Sequence, residues 1–355
     1  MKKKTLFVSD ATLYSGGAER VLSVLSSHFA DEYERVVYIL WLHYPIFYEI
    51  DDRVEIVDIE ERSGKTNILQ KMWWFRQYVI KEKPDLILSF LYPWSMKVIT
   101  SLLFTSFKIV VAERQDPRIV FGGALGRFLR KCLYKKVNGI VVQTDSNSKY
   151  YEGDVKVIYN PISISEEKRG CAIRAKKEKT IVSVGRLIPQ KNRELLIKAF
   201  ARFYKSHPDY NLIIYGDGYL KESLLRLAES YHIANVVEMP GNSSNVIESI
   251  SSATAFVLSS NYEGMPNALI EAMCIGLPCI STKVSGATDL IESGKNGLLV
   301  ELNDVEAMAR AMSFIVEHDS EREKMSIEAT KIFDLLNQDM ICRKWIDYIN
   351  LKMSE

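Results

Sequence analysis

Short runs of β-branched and aliphatic residues recur along the chain, separated by stretches whose apolar positions repeat at helical spacing. Leu6 to Ser9, Arg35 to Leu40, Val54 to Val57, Leu86 to Ser89, Ile109 to Ala112 and Ile140 to Gln143 form a first set. Continuously apolar rather than alternating, they predict strands buried on both faces, as in a parallel sheet with crossover helices. The pattern starts again after residue 160, with Ile181 to Val184, Leu212 to Tyr215, Val236 to Met239, Ala255 to Ser259, Cys279 to Thr282 and Leu298 to Val300. Two α/β units in tandem follow. Between them, Asn160-Pro161 and the Lys-rich stretch Ser163 to Lys179 show no periodicity and predict a linker and loop, which puts the boundary near Pro161 and the domains at 1–160 and 161–336. From 337 to 355, Ile341, Trp345, Tyr348 and Ile349 line one helical face, too short for a third domain and suited to packing on existing structure.

Length and charge sharpen this picture only a little. At 355 residues and 47% apolar composition the chain is large enough for two cores. Forty-six basic against 45 acidic residues leave a net charge of +1, so no global field recruits nucleic acid. Cys132, Cys171, Cys274, Cys279 and Cys342 form no C-x-x-C pair and are odd in number, which argues against disulfides and zinc and for a reducing cytoplasm. The apolar leaning after Met1 to Lys4 is too brief for a signal-peptide core, and Val98 to Ala112, broken by Lys108, is too short and too polar to span a bilayer.

Three strand-to-helix turns carry candidate chemistry. After Ala255 to Ser259 come Glu263-Gly264-Met265-Pro266, and a helix is predicted from Asn267 with Leu269, Ala272 and Met273 buried. Ligands of open α/β sheets sit beyond the carboxyl ends of strands, where a helix N-terminus offers N–H groups and positive dipole to a pyrophosphate. Glu271 falls roughly 7 Å along the helix, so a carboxylate stands at each end of that seat, suited to sugar hydroxyls. The alternative is that Glu263 caps the helix and Glu271 is solvated. After Ile181 to Val184, Gly185-Arg186-Leu187 leads to Lys191-Asn192. Arg186 offers a fork for phosphate oxygens and Lys191 a point charge, unless both are plain solvated bases. Near the start, Ser15-Gly16-Gly17-Ala18-Glu19-Arg20 opens a helix, and paired glycines allow a tight turn near a ligand. Gly216-Asp217-Gly218 offers the same, or only ends a strand.

Together these segments resemble the retaining glycosyltransferases of family four, over nearly the whole chain. Gly16-Gly17-Ala18-Glu19-Arg20, Gly185-Arg186-Leu187 with Lys191-Asn192, Gly216-Asp217-Gly218 and Glu263-Gly-Met-Pro-Asn-Ala-Leu-Ile-Glu271 stand in family order. The resemblance implies a GT-B fold: two Rossmann-like domains facing a central cleft, the first on the acceptor side and the second holding nucleotide sugar, with a C-terminal helix crossing back to the first. It implies that Arg186 and Lys191 bind the donor diphosphate and Glu271 its ribose, with Gly185 and Gly216 also among the donor-binding residues. Glu263 with Gly264, Met265, Pro266 and Asn267 would hold the transferred sugar, Ala268 and Leu269 would be donor-binding too, and Gly17, also donor-binding, would line the cleft from the other domain. Glu263, Arg186 and Lys191 become the catalytic candidates. No cofactor or metal is implied, and no Asp-x-Asp motif occurs; Arg186 and Lys191 would take the place of a cation. Many relatives carry a histidine near the reacting centre, but none occurs here between His43 and His207. The stretch Val-Ala-Glu-Arg-Gln-Asp-Pro resembles a variant from polysaccharide-assembly members. Glu113, a further catalytic candidate, then joins Arg114, Asp116 and Gly16 on the acceptor side, with a structural hydrogen bond the alternative for Glu113.

The implied reaction moves a hexose or N-acetylhexosamine from a nucleoside diphosphate sugar, UDP by family habit, to a glycan or polyprenyl-diphosphate-linked glycan. An epimerase or phosphorylase of the same architecture, or a non-catalytic nucleotide-sugar-binding subunit, is the competing reading. Arg127 to Lys136 carries five bases in ten residues, with Phe128, Leu129, Cys132 and Leu133 at helical spacing, and Lys71-Met72-Trp73-Trp74-Phe75-Arg76 forms a second basic, aromatic cluster. Both suit peripheral contact with an anionic membrane at the cytoplasmic face, or are ordinary helices with an apolar inner side.

Overall fold

The apolar runs form two parallel sheets. The computed structural model describes residues 4–14, 16–118, 123–162, 164–243 and 245–355; Ser15 of the glycine turn and Ser163 at the start of the expected loop lie outside these. One compact unit comprises Met1–Pro161 with Asn337–Glu355, the other Ile162–Leu336.

In the first unit β1 (Thr5–Asp10), β2 (Arg35–Leu40), β3 (Glu55–Asp58), β4 (Leu86–Phe90), β5 (Ile109–Ala112), β6 (Gly139–Val142) and β7 (Val155–Val157) stand in the order β3-β2-β1-β4-β5-β6-β7. In the second, β8 (Thr180–Val184), β9 (Asn211–Tyr215), β10 (Val237–Gly241), β11 (Ala255–Leu258), β12 (Cys279–Thr282) and β13 (Leu298–Val300) stand in the order β10-β9-β8-β11-β12-β13. Both orders reverse direction beside their first strand, at β1/β4 and at β8/β11. Those reversals are the switch points at which such sheets bind ligands.

Each sheet buries its strands on both faces, which is why they read as unbroken apolar runs. Phe7, Val37, Ile87 and Val111 enter the core of the first unit; Ile181, Leu212, Val257 and Ile280 enter that of the second. The helix Gln338–Ser354 belongs to the first unit. Its Trp345 is fully buried and stacks on Phe90 of β4, ring centroids 5.8 Å apart.

Two expectations are corrected. The stretch expected as loop contains the helix Glu166–Ile173, whose N-cap Ser165 accepts from Lys168 N–H. Ser-Glu-Glu-Lys is a start signal that the absence of apolar periodicity hid, since only Ala172 of that helix is buried. The strand β7 was also missed, because Val155-Lys156-Val157 is three residues long and sits at the sheet's edge.

Candidate active site

The loops leaving β8, β9 and β11 meet at the carboxyl edge of the second sheet, beside its switch point. Gly185 and Gly216 have φ of 139° and 132°, and Gly218 has 158°, a region that favours glycine. A Cβ on Gly216 would lie 2.2 Å from the Gly185 carbonyl oxygen, and one on Gly218 2.4 Å from that of Leu187. Leu187 N–H donates to Asp217 O at 2.8 Å, so the two loops are knitted through bare backbone. Gly216-Asp217-Gly218 therefore does more than end a strand.

The loop after β8 is joined to the loop after β11 in the same way. Asn192, at φ 42°, donates to Asn261 Oδ1 at 2.9 Å, Asn261 N–H donates to Gln190 O at 2.8 Å, and Ser259 Oγ donates to Lys191 O at 2.8 Å. This stitching brings Lys191 Nζ within 2.5 Å of Glu263 Oε1. Ser260 Oγ donates to the same oxygen at 2.6 Å, and Gln190 Nε2 approaches Glu263 Oε2 at 3.4 Å. Glu263 is buried, and these partners satisfy its carboxylate oxygens.

The helix Asn267–Cys274 starts at Pro266 as N-cap, with no side chain capping it. Glu263 is thus not its cap, and Glu271, at 7% exposure, is not solvated; the alternative for both carboxylates is overturned. Met265, Pro266 and Leu269 are buried, while Gly264, Asn267 and Ala268 remain partly open at the helix N-terminus. Arg186 is exposed.

Two residues here escaped sequence reasoning. Arg193 is 1% exposed beneath the loop; its Nη1 donates to Ser183 Oγ at 2.5 Å and its Nη2 to Gly185 O at 3.3 Å. Burial lowers its guanidinium to about 10 against the opposing pull of Glu263. An arginine in a helix's first turn, against the macrodipole, was the available signal. Gly286 is the second, since a Cβ there would meet Gly264 O at 2.3 Å and Pro266 Cδ at 2.6 Å.

The remaining candidates lie in the first unit. Gly17 opens the helix Gly17–Glu32 with Gly16 as N-cap. At φ −179° Gly16 is extended, so the pair makes no left-handed turn, and the atoms nearest a Cβ there belong to the Glu19 carboxylate, a side-chain end rather than backbone. Glu113 is buried and accepts from the Tyr134 hydroxyl; burial raises its carboxyl above the ordinary range. Asp116 chelates the Arg118 guanidinium, at 2.5 Å for the nearest pair.

Arg114 is a buried cation between two rings, 5.2 Å from the Phe90 centroid and 5.0 Å from that of Trp345. Desolvation lowers it to about 9. It gives one N–H to Asn160 Oδ1 at 3.1 Å, while its Nε and Nη2, and Asp10 Oδ2, lack hydrogen-bond partners. Asp10 ends β1 and Arg114 follows β5, so this polar group stands at the carboxyl edge of the first sheet.

The two basic clusters differ. In the helix Ile68–Glu82, Lys71 is buried against Trp41 O and Glu60, Phe75 is in the core, and Arg76 donates to Ser101 O and Leu103 O; of its large apolar side chains Leu69 and Trp73 are the most exposed. In the helix Gly123–Tyr134 the buried Tyr134 and the partly buried Leu133 pack on the core while Leu125, Phe128 and Leu129 are exposed, so Phe128 and Leu129 are not part of an apolar inner side. No helix among the described residues is long and apolar enough to cross a membrane. His43, Asp58 and Glu61 bring possible metal-ligand atoms within 4.8 Å, but in the first unit, where Asp58 already caps the helix Ile59–Ser63.

Residues 165–332, the span that holds the knitted loops, match the family described as glycosyl transferases group 1. Over 351 residues the chain is 28% identical to a Campylobacter jejuni enzyme, GalNAc-alpha-(1->4)-GalNAc-alpha-(1->3)-diNAcBac-PP-undecaprenol alpha-1,4-N-acetyl-D-galactosaminyltransferase, covering 96% of each. It is 27% identical over 360 residues to the amylovoran biosynthesis glycosyltransferase AmsD of Erwinia amylovora, covering 98% of this chain and 99% of AmsD. Among solved structures, Anabaena HepE in complex with UDP and glucose gives a TM-score of 0.80 at 17% identity over 98% of this chain and 99% of HepE. TarM of S. aureus gives 0.78 at 15% over 97% and 98%. At such identity these two speak for the fold, which is GT-B. The second unit, with its glycine-knitted loops and its paired Lys191 and Glu263, carries the match to the group 1 glycosyl transferases, and over nearly its whole length the chain is similar to glycosyltransferases.

Proposed function

We propose that the chain transfers a hexose or N-acetylhexosamine from a UDP-sugar to a glycan borne on a polyprenyl diphosphate, with retention at the anomeric carbon and without a metal ion, at the cytoplasmic face of a membrane. The observation that carries this is the Lys191–Glu263 pair beside the uncapped start of the helix Asn267–Cys274, with Glu271 one turn inside. Lys191 spends one of its three N–H donors on Glu263 and keeps others for a phosphate oxygen. Arg186, exposed at the loop, supplies a fork to the same diphosphate, and the helix N-terminus adds backbone N–H groups. Together they neutralise the leaving group as the glycosidic bond breaks, the task a divalent cation performs elsewhere. In a front-face reaction the departing phosphate oxygen takes the acceptor's proton, so no protein base is required. Glu271 binds the ribose, and Glu263 with Gly264 to Asn267 the sugar. Gly17 joins the donor-binding residues, and Gly16, Glu113, Arg114 and Asp116 serve the acceptor side. The acceptor class is supported by the name of the Campylobacter jejuni relative, which specifies a PP-undecaprenol glycan.

The test is a panel of UDP- and GDP-sugars screened for thermal stabilisation, followed by transfer assays with lipid-diphosphate glycans and NMR of the product's anomeric carbon. A UDP-sugar that stabilises the protein, with Glu271→Gln weakening it about tenfold or more, supports the donor site. Unchanged affinity in Glu271→Gln removes it, an inverted product removes the retaining mechanism, and loss of turnover in EDTA removes metal independence.

A further inference from the structure

We propose that a basic pocket in the first unit seats the diphosphate of an isoprenyl diphosphate, the chemical handle of a lipid-linked acceptor; this rests on the acceptor reading above. The cavity, of about 430 Å³, is lined by one face of the helix Gly123–Tyr134 together with Pro117, Arg118 and Tyr150 to Glu152. Its size falls within the range of roughly 300–1,000 Å³ typical of small-molecule sites. Arg127, Arg130, Lys131 and Tyr134 recur at helical spacing and so share that face.

The charge there is only partly compensated. Arg118, Arg127, Arg130, Lys131 and Lys135 are five cations, and the carboxylates they touch are two, Asp116 and Glu152. Asp116 is committed to Arg118, while Lys131 at 2.7 Å and Lys135 at 3.7 Å divide Glu152 between them. Arg130 gives an N–H to Pro117 O at 2.9 Å, and its guanidinium lies 5.6 Å from the Tyr92 ring and 5.3 Å from that of Tyr151. Arg127 has no carboxylate partner among the described residues. Glu113, which does not line the cavity, accepts from the Tyr134 hydroxyl and attracts the Arg130 guanidinium from behind it.

Like charges drawn together repel, and an anion of two or more charges relieves that repulsion. A diphosphate matches the set, with arginine forks for paired oxygens and lysines as point charges. The rings of Tyr150 and Tyr151 give it an apolar flank. On the opposite side of the same helix Leu125, Phe128 and Leu129 are 67%, 63% and 44% exposed, an edge compatible with the membrane in which an isoprenyl chain resides.

The experiment uses the full chain and water-soluble geranyl diphosphate, comparing wild type with Arg127→Gln/Lys131→Gln/Lys135→Gln and with Glu271→Gln. All three substitutions of the triple variant are at exposed positions, so folding is expected to persist, checked by its melting curve. Binding about tenfold or more weaker in the triple variant, and unchanged in Glu271→Gln, is the expected result. The reverse pattern places the diphosphate at the donor loops and overturns the proposal. So does unchanged geranyl diphosphate binding alongside lost flotation with phosphatidylglycerol vesicles, which makes the patch a general lipid-surface contact. In transfer assays the triple variant should raise KM for a lipid-diphosphate glycan and leave KM for the same glycan on a neutral aglycone unchanged; an equal rise in both overturns it. A wild type that glycosylates neither acceptor removes the transfer reading, while the binding comparison still decides the pocket.

Discussion

Lys191 and Glu263 each stand in a place that would be costly alone. Their side chains are 17% and 7% exposed, so removing one partner leaves a largely desolvated charge. Lys191→Met is expected to lower stability by roughly 2 kcal/mol or more and to weaken donor binding. Adding Glu263→Gln should restore much of the stability, because the stranded charge goes, but not turnover. A double-mutant cycle by urea unfolding and by kcat/KM reads both, and additive effects in both would dissolve the pairing. Glu113 gives a pH test. Its carboxyl is raised from 4.5 chiefly by burial, so the folded state holds the proton more tightly than the unfolded chain does. That contribution is full below pH 4.5 and is lost as pH rises through the raised folded value. Glu113→Gln is neutral throughout, so the stability of wild type relative to the variant should fall as pH climbs from 4.5 through the raised folded value. A constant difference across urea titrations would mean that Glu113 does not titrate in this way.

Among the loops, the one after β9 is the most demanding. At Gly216, φ of 132° and a Cβ position 2.2 Å from the Gly185 oxygen act together, and the obstacle is backbone that cannot rotate away. Gly216→Ala should cost about 2 kcal/mol or more and, by parting the two loops, raise the Kd for UDP, while the equivalent change at Gly16 should be mild. Melting temperature and UDP titration check both. The contrast also marks what sequence could carry at this scale. Continuous apolar runs located β2, β5, β12 and β13 to the residue because burial on both faces is a local property. Glycine pairs did not reveal which of them was conformationally required, since that depends on a loop about thirty residues away in sequence for Gly185 and Gly216. Arg193 and Arg114 were invisible as buried cations for the same reason: Ser183, Phe90 and Trp345 are neighbours only after folding. Glu263 and Glu271 were found as types, yet their burial came only with the structure.

The chain leaves the first unit at Pro161, builds all of the second, and returns at Asn337 to finish the first. The first unit is therefore discontinuous in sequence and the second is not, which gives the two unequal dependence on the C-terminus. Ile341, Cys342, Trp345 and Ile349 are fully buried, and Trp345 covers both Phe90 and the Arg114 guanidinium. At about 1.5–3 kcal/mol for each large apolar side chain, their loss is comparable to the entire stability of a typical domain, about 5–15 kcal/mol. Arg114 would at the same time lose one of the two rings that enclose it. A chain ending at Leu336 should therefore keep a protease-resistant core spanning Ile162–Leu336, while the segment before Pro161 is digested. Limited proteolysis with mass analysis distinguishes this from the alternative in which the tail is an accessory; there the truncated protein would resist digestion throughout and melt with the intact one. Trp345→Ala, which removes a single ring, should reproduce part of the effect at about 3–5 kcal/mol, confined to the first unit. Hydrogen exchange resolved by peptide would show faster exchange in β4 and β5 and no change in β8 or β11.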